Sequence, residues 1–443
     1  MVRTTTGRIS PARSAAHRVL HEVKRGAFAE HAFARCAEDL DDADRRLAHE
    51  LSFGALRLRG RLDLILAPLV RGGLGRLEDD VLDILRVGAY QLLELDRVPP
   101  YAAVSDAVEA ARRSAGEGAG RLTNAVLRRL GRSSASEPER GSDPLAYLSG
   151  WGSHPAWLIE RWLARWPAEE VERLVEHNNR RPSVYLRVLG NQESALECLQ
   201  AAAIDARAVH AAPGLGEHSI QVDSSQIAEA LRLVDAIVQD PAASAVVDYM
   251  ALDAGVRIVD FCAAPGGKAT LLSALGHEVS AFDSSWSRLA LLTESRERLG
   301  LERLHLAVAD AAAPPVASVE AALLDVPCTG TGTLARHPEA KWRLDLDGLE
   351  ELASLQRRLL DGVAAIVRPG GWLVYATCSL EPEENEEQVA RFLDRHGEFR
   401  LDPPPEDSLP AEHLRRDDGA LSLMPQRHGV DGAYAARLLR VSG

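Results

Sequence analysis

The chain has 443 residues, of which 46% are hydrophobic and 26% are charged, so it is long enough for two or three domains with sizeable cores. Its net charge of −14 speaks against a generic nucleic-acid-binding protein. The charge is uneven, because residues 1–150 carry 23 Lys and Arg against 21 Asp and Glu while the rest is acidic. A basic patch in the N-terminal third therefore stays open.

The composition also argues against several other classes of protein. There is no run of about 18 apolar residues, and no apolar stretch follows the N-terminal residues, so we expect neither a membrane span nor a signal peptide. The five cysteines include no C-x-x-C pair, which argues against a disulfide framework and a zinc site. We therefore expect a cytoplasmic monomer that holds no metal and contacts no membrane.

The N-terminal part of the chain has apolar residues at helical spacing throughout. Glycine and proline pairs separate its segments at residues 72–73, 99–100 and 116–118. The pattern predicts an all-α domain over residues 1–132, for which a purely structural bundle is an equally weighted alternative. Residues 133–150 are rich in Ser, Pro, Glu and Gly and are predicted to be a linker.

The remaining residues change their pattern twice. Two strand-like runs flank a helical segment in residues 151–239, which predicts a small α+β subdomain. From residue 240 to residue 443, apolar runs of strand length alternate with helical segments. This alternation predicts a Rossmann-like, doubly wound and mostly parallel sheet, with ligands outside the carboxyl ends of its strands.

Residues 256–268 have the pattern of a strand, a glycine turn and the start of a helix, which in α/β folds brings backbone amides up to a nucleotide. Asp283 follows Asp260 by 23 positions, about where an acceptor for ribose hydroxyls is expected. The turn is not a P-loop, because Cys262 and Ala269 occupy positions where that motif needs Gly and Ser or Thr. It also lacks G-x-G-x-x-G, which disfavours a nicotinamide enzyme.

Two cysteines follow predicted strands elsewhere in the C-terminal part. Cys328 ends the run Asp-Val-Pro-Cys of residues 325–328, and Cys378 lies in Thr-Cys-Ser. A single cysteine at a strand end is more often buried and inert. Two of them together with a nucleotide-type turn favour methyl transfer to carbon 5 of a pyrimidine, where a thiolate adding to carbon 6 makes carbon 5 nucleophilic.

Residues 260–268, 325–328 and 376–379 resemble the motifs of the Sun-type RNA cytosine-C5 methyltransferases, which use S-adenosylmethionine. The resemblance covers about residues 240–443. It implies that Cys378 is the nucleophile and that Cys328 aids product release. It also implies that Asp325 contacts the cytosine beside the methyl donor. Lys268, one of only three lysines, is expected to act as a compact charge paired with Asp325.

The same resemblance implies a set of residues that line the cofactor. They are Cys262, Ala263, Ala264, Pro265, Gly266, Gly267, Lys268 and Asp325, with Asp283 on the ribose and Asp310 near the adenine. Cys262 is expected to be structural rather than reactive.

Residues 48–57, 85–93, 98–104 and 124–129 resemble the NusB-type RNA-binding domain. The resemblance implies that arginines of the helical domain meet RNA phosphates, among them Arg13, Arg18, Arg128 and Arg129. Together the two resemblances imply a bacterial enzyme that methylates 16S ribosomal RNA. Transfer RNA as the substrate, and a catalytically silent RNA-binding or assembly factor of the same fold, are the alternatives.

Overall fold

The computed structural model describes residues 9–132, 137–140, 143–209, 211–405 and 408–441. The chain forms two compact units. One short segment belongs to the first unit, although the residues before and after it in the sequence belong to the second. The first unit is Met1–Arg180 with Leu334–Arg343, and the second is Arg181–Thr333 with Leu344–Gly443. Within the described ranges, no helix is both long and apolar enough to cross a membrane.

The first unit is built of helices. They are α1 (Pro11–Lys24), α2 (Ala29–Cys36), α3 (Asp42–Arg57), α4 (Arg59–Leu66), α5 (Asp79–Glu94), α6 (Pro100–Leu130), α7 (Pro144–Gly150), α8 (Ala156–Arg165) and α9 (Ala168–Asn179). Ser10 caps α1 by accepting the Arg13 amide, and proline occupies the first helical position. The predicted break in α6 is present, because Gly116 has a φ of 82°. The predicted all-α fold of this region is confirmed.

The helices α7 to α9 belong to this first unit, which differs from the predicted boundaries. Residues 144–150 of the predicted linker are helical, while residues 133–136 and 141–142 lie outside the described residues. The Gly60 amide donates to Ser153 Oγ at 2.9 Å, and Arg61 Nε donates to the Trp151 carbonyl at 2.9 Å. Helices α8 and α9 of residues 151–239 lie in the first unit and the strands that follow them lie in the second. The predicted boundaries of the subdomain stay a prediction.

A small antiparallel sheet opens the second unit. Its elements are β1 (Val184–Val188), α10 (Gln192–Ala201), β2 (Ala206–Ala208), β3 (Ser219–Val222), α11 (Ile227–Leu233) and β4 (Ala236–Val238). The strand order is β2-β3-β1-β4, and the apolar faces of the helices bury Leu199 and Ala230 against the sheet. The predicted α+β character of this part is confirmed.

The rest of the second unit is a larger sheet with helices. The strands are β5 (Arg257–Phe261), β6 (Glu278–Asp283), β7 (Leu304–Val308), β8 (Val319–Asp325), β9 (Val367–Thr377), β10 (Phe399–Leu401), β11 (Leu421–Leu423) and β12 (Ala433–Arg440). The helices are α12 (Pro241–Met250), α13 (Gly267–Ala274), α14 (Trp286–Arg298), α15 (Leu346–Ile366), α16 (Glu386–Arg395) and α17 (Pro425–His428).

The strand order of the larger sheet is β10-β12-β9-β8-β5-β6-β7, with β11 paired to β12. Strands β5 to β9 are parallel, whereas β10 to β12 extend the sheet in antiparallel fashion. The predicted doubly wound, mostly parallel sheet is confirmed. From β5 the chain moves outward through β6 and β7 and then returns to β8 on the other side of β5. This reversal places a ligand crevice at the carboxyl ends of β5 and β8.

Candidate active site

Two residues of the glycine turn after β5 have backbone conformations that few residue types adopt. Cys262 and Gly266 have φ values of 58° and 110°, in the left-handed region. A Cβ atom on Gly266 would lie 2.0 Å from Leu292 Cγ, so no larger residue fits. Helix α13 begins directly after it, at Gly267. Because the first amides of a helix lack partners within the helix, the turn presents donors to a ligand.

Asp283 ends β6 and faces this turn. Its Oδ1 atom accepts from Arg288 Nη2 at 2.5 Å and from the Ser285 amide at 2.9 Å, and its Oδ2 atom accepts from the Ala264 amide at 3.4 Å. A carboxylate oxygen has capacity for more than one donor, so Oδ2 can also accept from a ligand hydroxyl. The glycine turn and this acid fit a nucleoside-type cofactor.

Asp310 follows β7, which is the edge strand of the parallel half of the sheet. Strand β6 lies between β7 and β5. Its side chain is exposed, and Oδ1 accepts from the Ala312 amide at 2.9 Å. Asp310 therefore lies at the same edge of the sheet as the other predicted residues but on its outer side.

Asp260, the last residue but one of β5, is fully buried. Neither of its carboxyl oxygens has a hydrogen-bond partner among the described residues. Burial and then the nearby Asp325 raise the pKa of Asp260 well above its usual range, which favours the neutral acid. Sequence analysis used this residue only as a reference point for spacing. A buried carboxyl without a partner, next to the glycine turn, is a polar group that a ligand or a water molecule can satisfy.

Lys268 and Asp325 form an ion pair across the crevice. Lys268 Nζ lies 2.7 Å from Asp325 Oδ2, so the predicted pairing is present. Burial alone would lower the pKa of Lys268, but the Asp325 carboxylate outweighs it and raises the pKa above its ordinary value. Cys378 and Asp260 add to this effect, so the ammonium is the common counter-charge of the site.

The two predicted reactive cysteines lie side by side, with 3.3 Å between Cys328 Sγ and Cys378 Sγ. The hydrogen bond to Cys378 and then burial raise the pKa of Cys328 well above its usual range. Either sulfur can donate in this contact, so the two thiols can share one hydrogen bond. Burial, followed by the nearby Asp325, raises the pKa of Cys262 to about 12, so its thiol is a poor nucleophile.

The loops that carry the cysteines meet backbone to backbone. The Gly332 amide donates to the Cys378 carbonyl at 2.9 Å, and the Gly432 amide donates to the Gly332 carbonyl at 2.8 Å. A Cβ on Gly332 would lie 2.7 Å from the Cys378 carbonyl oxygen and 2.7 Å from Gly432 Cα. Glycine at position 332 is therefore needed for the two loops to approach this closely.

A buried carboxylate that sequence analysis missed holds the same loops. Glu384 Oε1 accepts from the Thr329 amide at 2.9 Å and from Gln356 Nε2 at 2.8 Å, and Oε2 accepts from Thr329 Oγ1 at 2.5 Å. Thr329 Oγ1 also lies 3.0 Å from Ser379 Oγ, beside Cys378. Burial raises the pKa of Glu384 despite these donors.

The acidic run of residues 381–387 has the composition of a helix start, with Pro382 and several carboxylates in its first turn. In the structure Pro382–Glu384 is a 3₁₀ turn, and α16 begins only at Glu386. Glu381 and Glu384 are fully buried. The composition of the run does not separate buried carboxylates from exposed ones, so the sequence carried no signal for the role of Glu384.

Three family models match successive parts of the chain. The NusB family matches residues 10–132, and the ferredoxin-like domain of RsmF/B-like methyltransferases matches residues 154–225. The model described as 16S rRNA methyltransferase RsmB/F matches residues 247–439.

Curated relatives match almost the whole chain. Ribosomal RNA small subunit methyltransferase B of Erwinia tasmaniensis is 33% identical, over 96% of this chain and 97% of its own. The protein of the same name from Shewanella oneidensis is 33% identical, over 90% of this chain and 91% of its own. The chain belongs to the RsmB family of methyltransferases. The resemblance predicted from the cysteine motifs and from the NusB-like segments is confirmed, and so is the prediction of an enzyme.

Two solved structures share the fold of this chain. The crystal structure of PH0851 has a TM-score of 0.78 at 25% identity and covers 98% of this chain and 100% of its own. That of a methyltransferase homologue from Pyrococcus horikoshii has a TM-score of 0.56 at 23% identity, covers 68% of this chain and 100% of its own, and supports the fold.

One predicted phosphate contact of the NusB-like region is wrong. Arg13 is buried, with Nη1 3.1 Å from Asp106 Oδ2 and Nε 2.6 Å from Gln91 Oε1. Its guanidinium serves the packing of α1, α5 and α6 and does not face a ligand. Arg18, Arg128 and Arg129 are exposed, as an RNA contact requires.

Replacing Gly332 with alanine is expected to push the Cys328 and Cys378 loops apart. Overpacking of this kind costs about 1–3 kcal/mol, and displacement of reacting groups by about 1 Å lowers rates by about 100-fold. We expect a large loss of methyltransferase activity with a modest loss in urea-unfolding free energy. Gly397→Ala is the control, since nothing lies within 4 Å of a Cβ there. Equal activity of the two variants would contradict the constraint.

Proposed function

We propose that the chain methylates carbon 5 of a cytosine in 16S ribosomal RNA, with S-adenosylmethionine as the methyl donor. The observation that carries this proposal is the pair of sulfur atoms 3.3 Å apart beside the Lys268–Asp325 ion pair. Membership of the RsmB family supports the nature of the substrate. RNA as a partner, a monomeric state and a cytoplasmic location belong to the same proposal.

Carbon 5 of cytosine is a weak nucleophile, so the reaction needs covalent activation. In our proposal the Cys378 sulfur adds to carbon 6, and the electrons of the double bond make carbon 5 nucleophilic. Cys378 suits this role because its sulfur lies 3.3 Å from that of Cys328 and because the Lys268 cation favours negative charge nearby. Bound S-adenosylmethionine supplies an electrophilic methyl group.

Asp325 is proposed to contact the cytosine ring at the nitrogen where a proton and electrons collect during addition. Lys268 holds the Asp325 carboxylate in one position through its short ion pair. After methyl transfer, the proton on carbon 5 must leave before the carbon–sulfur bond can break. Cys328, whose sulfur lies against Cys378, is proposed to assist that release.

The residues proposed to hold S-adenosylmethionine line the crevice of the parallel sheet. They are Cys262, Ala263, Ala264, Pro265, Gly266, Gly267, Lys268 and Asp325, with Asp283 at the ribose and Asp310 near the adenine. The unpaired carboxyl oxygens of Asp260 behind the turn support a polar ligand at this place. Asp283 Oδ2 supports a hydroxyl-bearing one.

We propose the following division of labour along the chain. Residues 1–132 hold RNA, residues 133–150 connect, residues 151–239 support the catalytic part, and residues 240–443 bind the methyl donor and perform the chemistry. The exposed Arg18, Arg128 and Arg129 support the first assignment, since the catalytic part is acidic overall.

Replacing Cys378 with alanine is expected to abolish methylation while binding of S-adenosylmethionine persists, because the thiol is needed only for the covalent step. Bisulfite sequencing of ribosomal and transfer RNA from cells carrying only this variant should show one 5-methylcytosine lost from 16S ribosomal RNA. The control is Cys198→Ala, on the exposed side of α10. If the Cys378→Ala variant still methylates RNA, Cys378 is not the nucleophile. If a 5-methylcytosine is lost from transfer RNA instead, transfer RNA is the substrate. If no 5-methylcytosine is lost from either RNA, a catalytically silent assembly factor is favoured.

Replacing Cys328 with alanine is expected to leave the enzyme joined to its RNA, because addition by Cys378 proceeds while release slows. A denaturing gel with labelled RNA should then show a slowly migrating protein–RNA species that is weak or absent with the unmodified protein. If Cys328→Ala turns over normally and no such species accumulates, Cys328 has no part in release.

A further inference from the structure

The segment Leu334–Arg343 directly follows the Cys328 loop in sequence but belongs to the first, helical unit. Its chain neighbours on both sides, the loop that ends at Thr333 and helix α15, belong to the second unit. Leu334 and Lys341 in the segment are fully buried. Ten residues of the methyltransferase sequence, directly after a reactive loop, thus belong to the helical unit.

Lys341 is the strongest anchor of the segment. Its Nζ atom donates to Asn179 Oδ1 at 2.7 Å and to the Arg57 carbonyl at 3.3 Å. Burial and then the charge of Arg57 lower the pKa of Lys341 well below its ordinary value. The Arg57 carbonyl is the last of α3, where carbonyls lack partners within the helix and donors or cations are favoured. These two oxygens satisfy the buried amine, so Lys341 ties the segment to the last residues of α3 and α9.

Two further side chains fasten the segment to ends of helices. Trp342 Nε1 donates to the Leu56 carbonyl at 2.8 Å, in the same last turn of α3. Glu339 Oε1 accepts from the amide of Ala29 at 3.1 Å, at the first residue of α2. A donor at a helix C-terminus and a carboxylate at a helix N-terminus both match the charge of the helix ends. The segment is therefore built into the helical unit by directed contacts.

We propose that Leu334–Arg343 is a tether through which the helical unit positions the Cys328 loop. Strand β8 fixes the loop at its start, and the tether fixes it at its end, only a few residues after Cys328. Lys341 and Trp342 are then positioning residues for product release, although neither belongs to the reactive loop. The inference rests on the proposed function, because it assigns a consequence to Cys328.

The test compares Lys341→Met with Arg207→Met, which changes an exposed arginine of β2 outside the region proposed to hold RNA. We expect Lys341→Met to lower kcat at least tenfold, the order expected when a reacting group is misplaced. It should also accumulate the gel-stable protein–RNA species, with unchanged binding of S-adenosylmethionine and unchanged RNA affinity. Arg207→Met should match the unmodified protein in all four measurements. Normal kcat without that species in folded Lys341→Met overturns the tether.

A second variant covers the case in which Lys341→Met fails to fold. Trp342→Phe keeps an aromatic ring and removes only the donor to the Leu56 carbonyl, and it should slow release in the same direction. A Trp342→Phe protein that folds and releases RNA normally overturns the tether. If the unmodified protein forms no 5-methylcytosine and Cys328→Ala traps no RNA, the proposed function fails first. If both behave as expected and only the tether variants are normal, the tether alone fails.

Discussion

The close approach of two backbone loops is the constraint on which the site depends. Strands β8 and β9 are parallel neighbours, with Asp325 opposite Ala376, so the loops after them leave the sheet side by side. The Gly332 amide then bonds the Cys378 carbonyl at 2.9 Å. This contact leaves no room for a Cβ at Gly332 and sets the spacing of the two sulfur atoms. The chemistry of the cysteines follows from this main-chain geometry.

The charges around the loops form a second constraint. Lys268 is the cation paired with Asp325, and its pKa also responds to Cys378 and to Asp260. Burial and then the nearby Asp325 raise the pKa of Asp260 well above its usual range, so this group favours its neutral form. In a buried site one ammonium cannot stabilise several full negative charges at once, so the protonation of these groups is linked. A negative charge on Cys378 thus interacts with the same Lys268 ammonium that orients Asp325.

Part of this picture could be predicted from the sequence, because strand ends and glycine turns are local signals. They identified the crevice, the loops of Cys328 and Cys378, and the Lys268–Asp325 pair. The role of Glu384 could not be predicted, because its neighbours in sequence are equally acidic and only the fold buries some of them. Arg13 looked like a surface arginine for the same reason, since its partner Asp106 lies on a distant helix.

Contacts between residues that are far apart in the sequence could not be predicted from local sequence patterns. Helices α8 and α9 were grouped with the following strands, whereas in the structure they belong to the first unit. The run that contains Lys341 and Trp342 lies between the Cys328 loop and α15, and nothing in its composition indicates that the helical unit buries it. Assigning a buried lysine to the ends of α3 and α9 requires knowing which helices meet there.

The most direct test of covalent catalysis uses RNA in which the target cytosine carries fluorine at carbon 5. After addition and methyl transfer, no proton is left on carbon 5 to remove, so the protein should stay bonded to the RNA. Arg336 and Lys341 place the two cysteines in different tryptic peptides, which mass spectrometry separates. The account predicts that the RNA is attached to the peptide containing Cys378. Attachment to the peptide containing Cys328, or no attachment with a fully active enzyme, would contradict it.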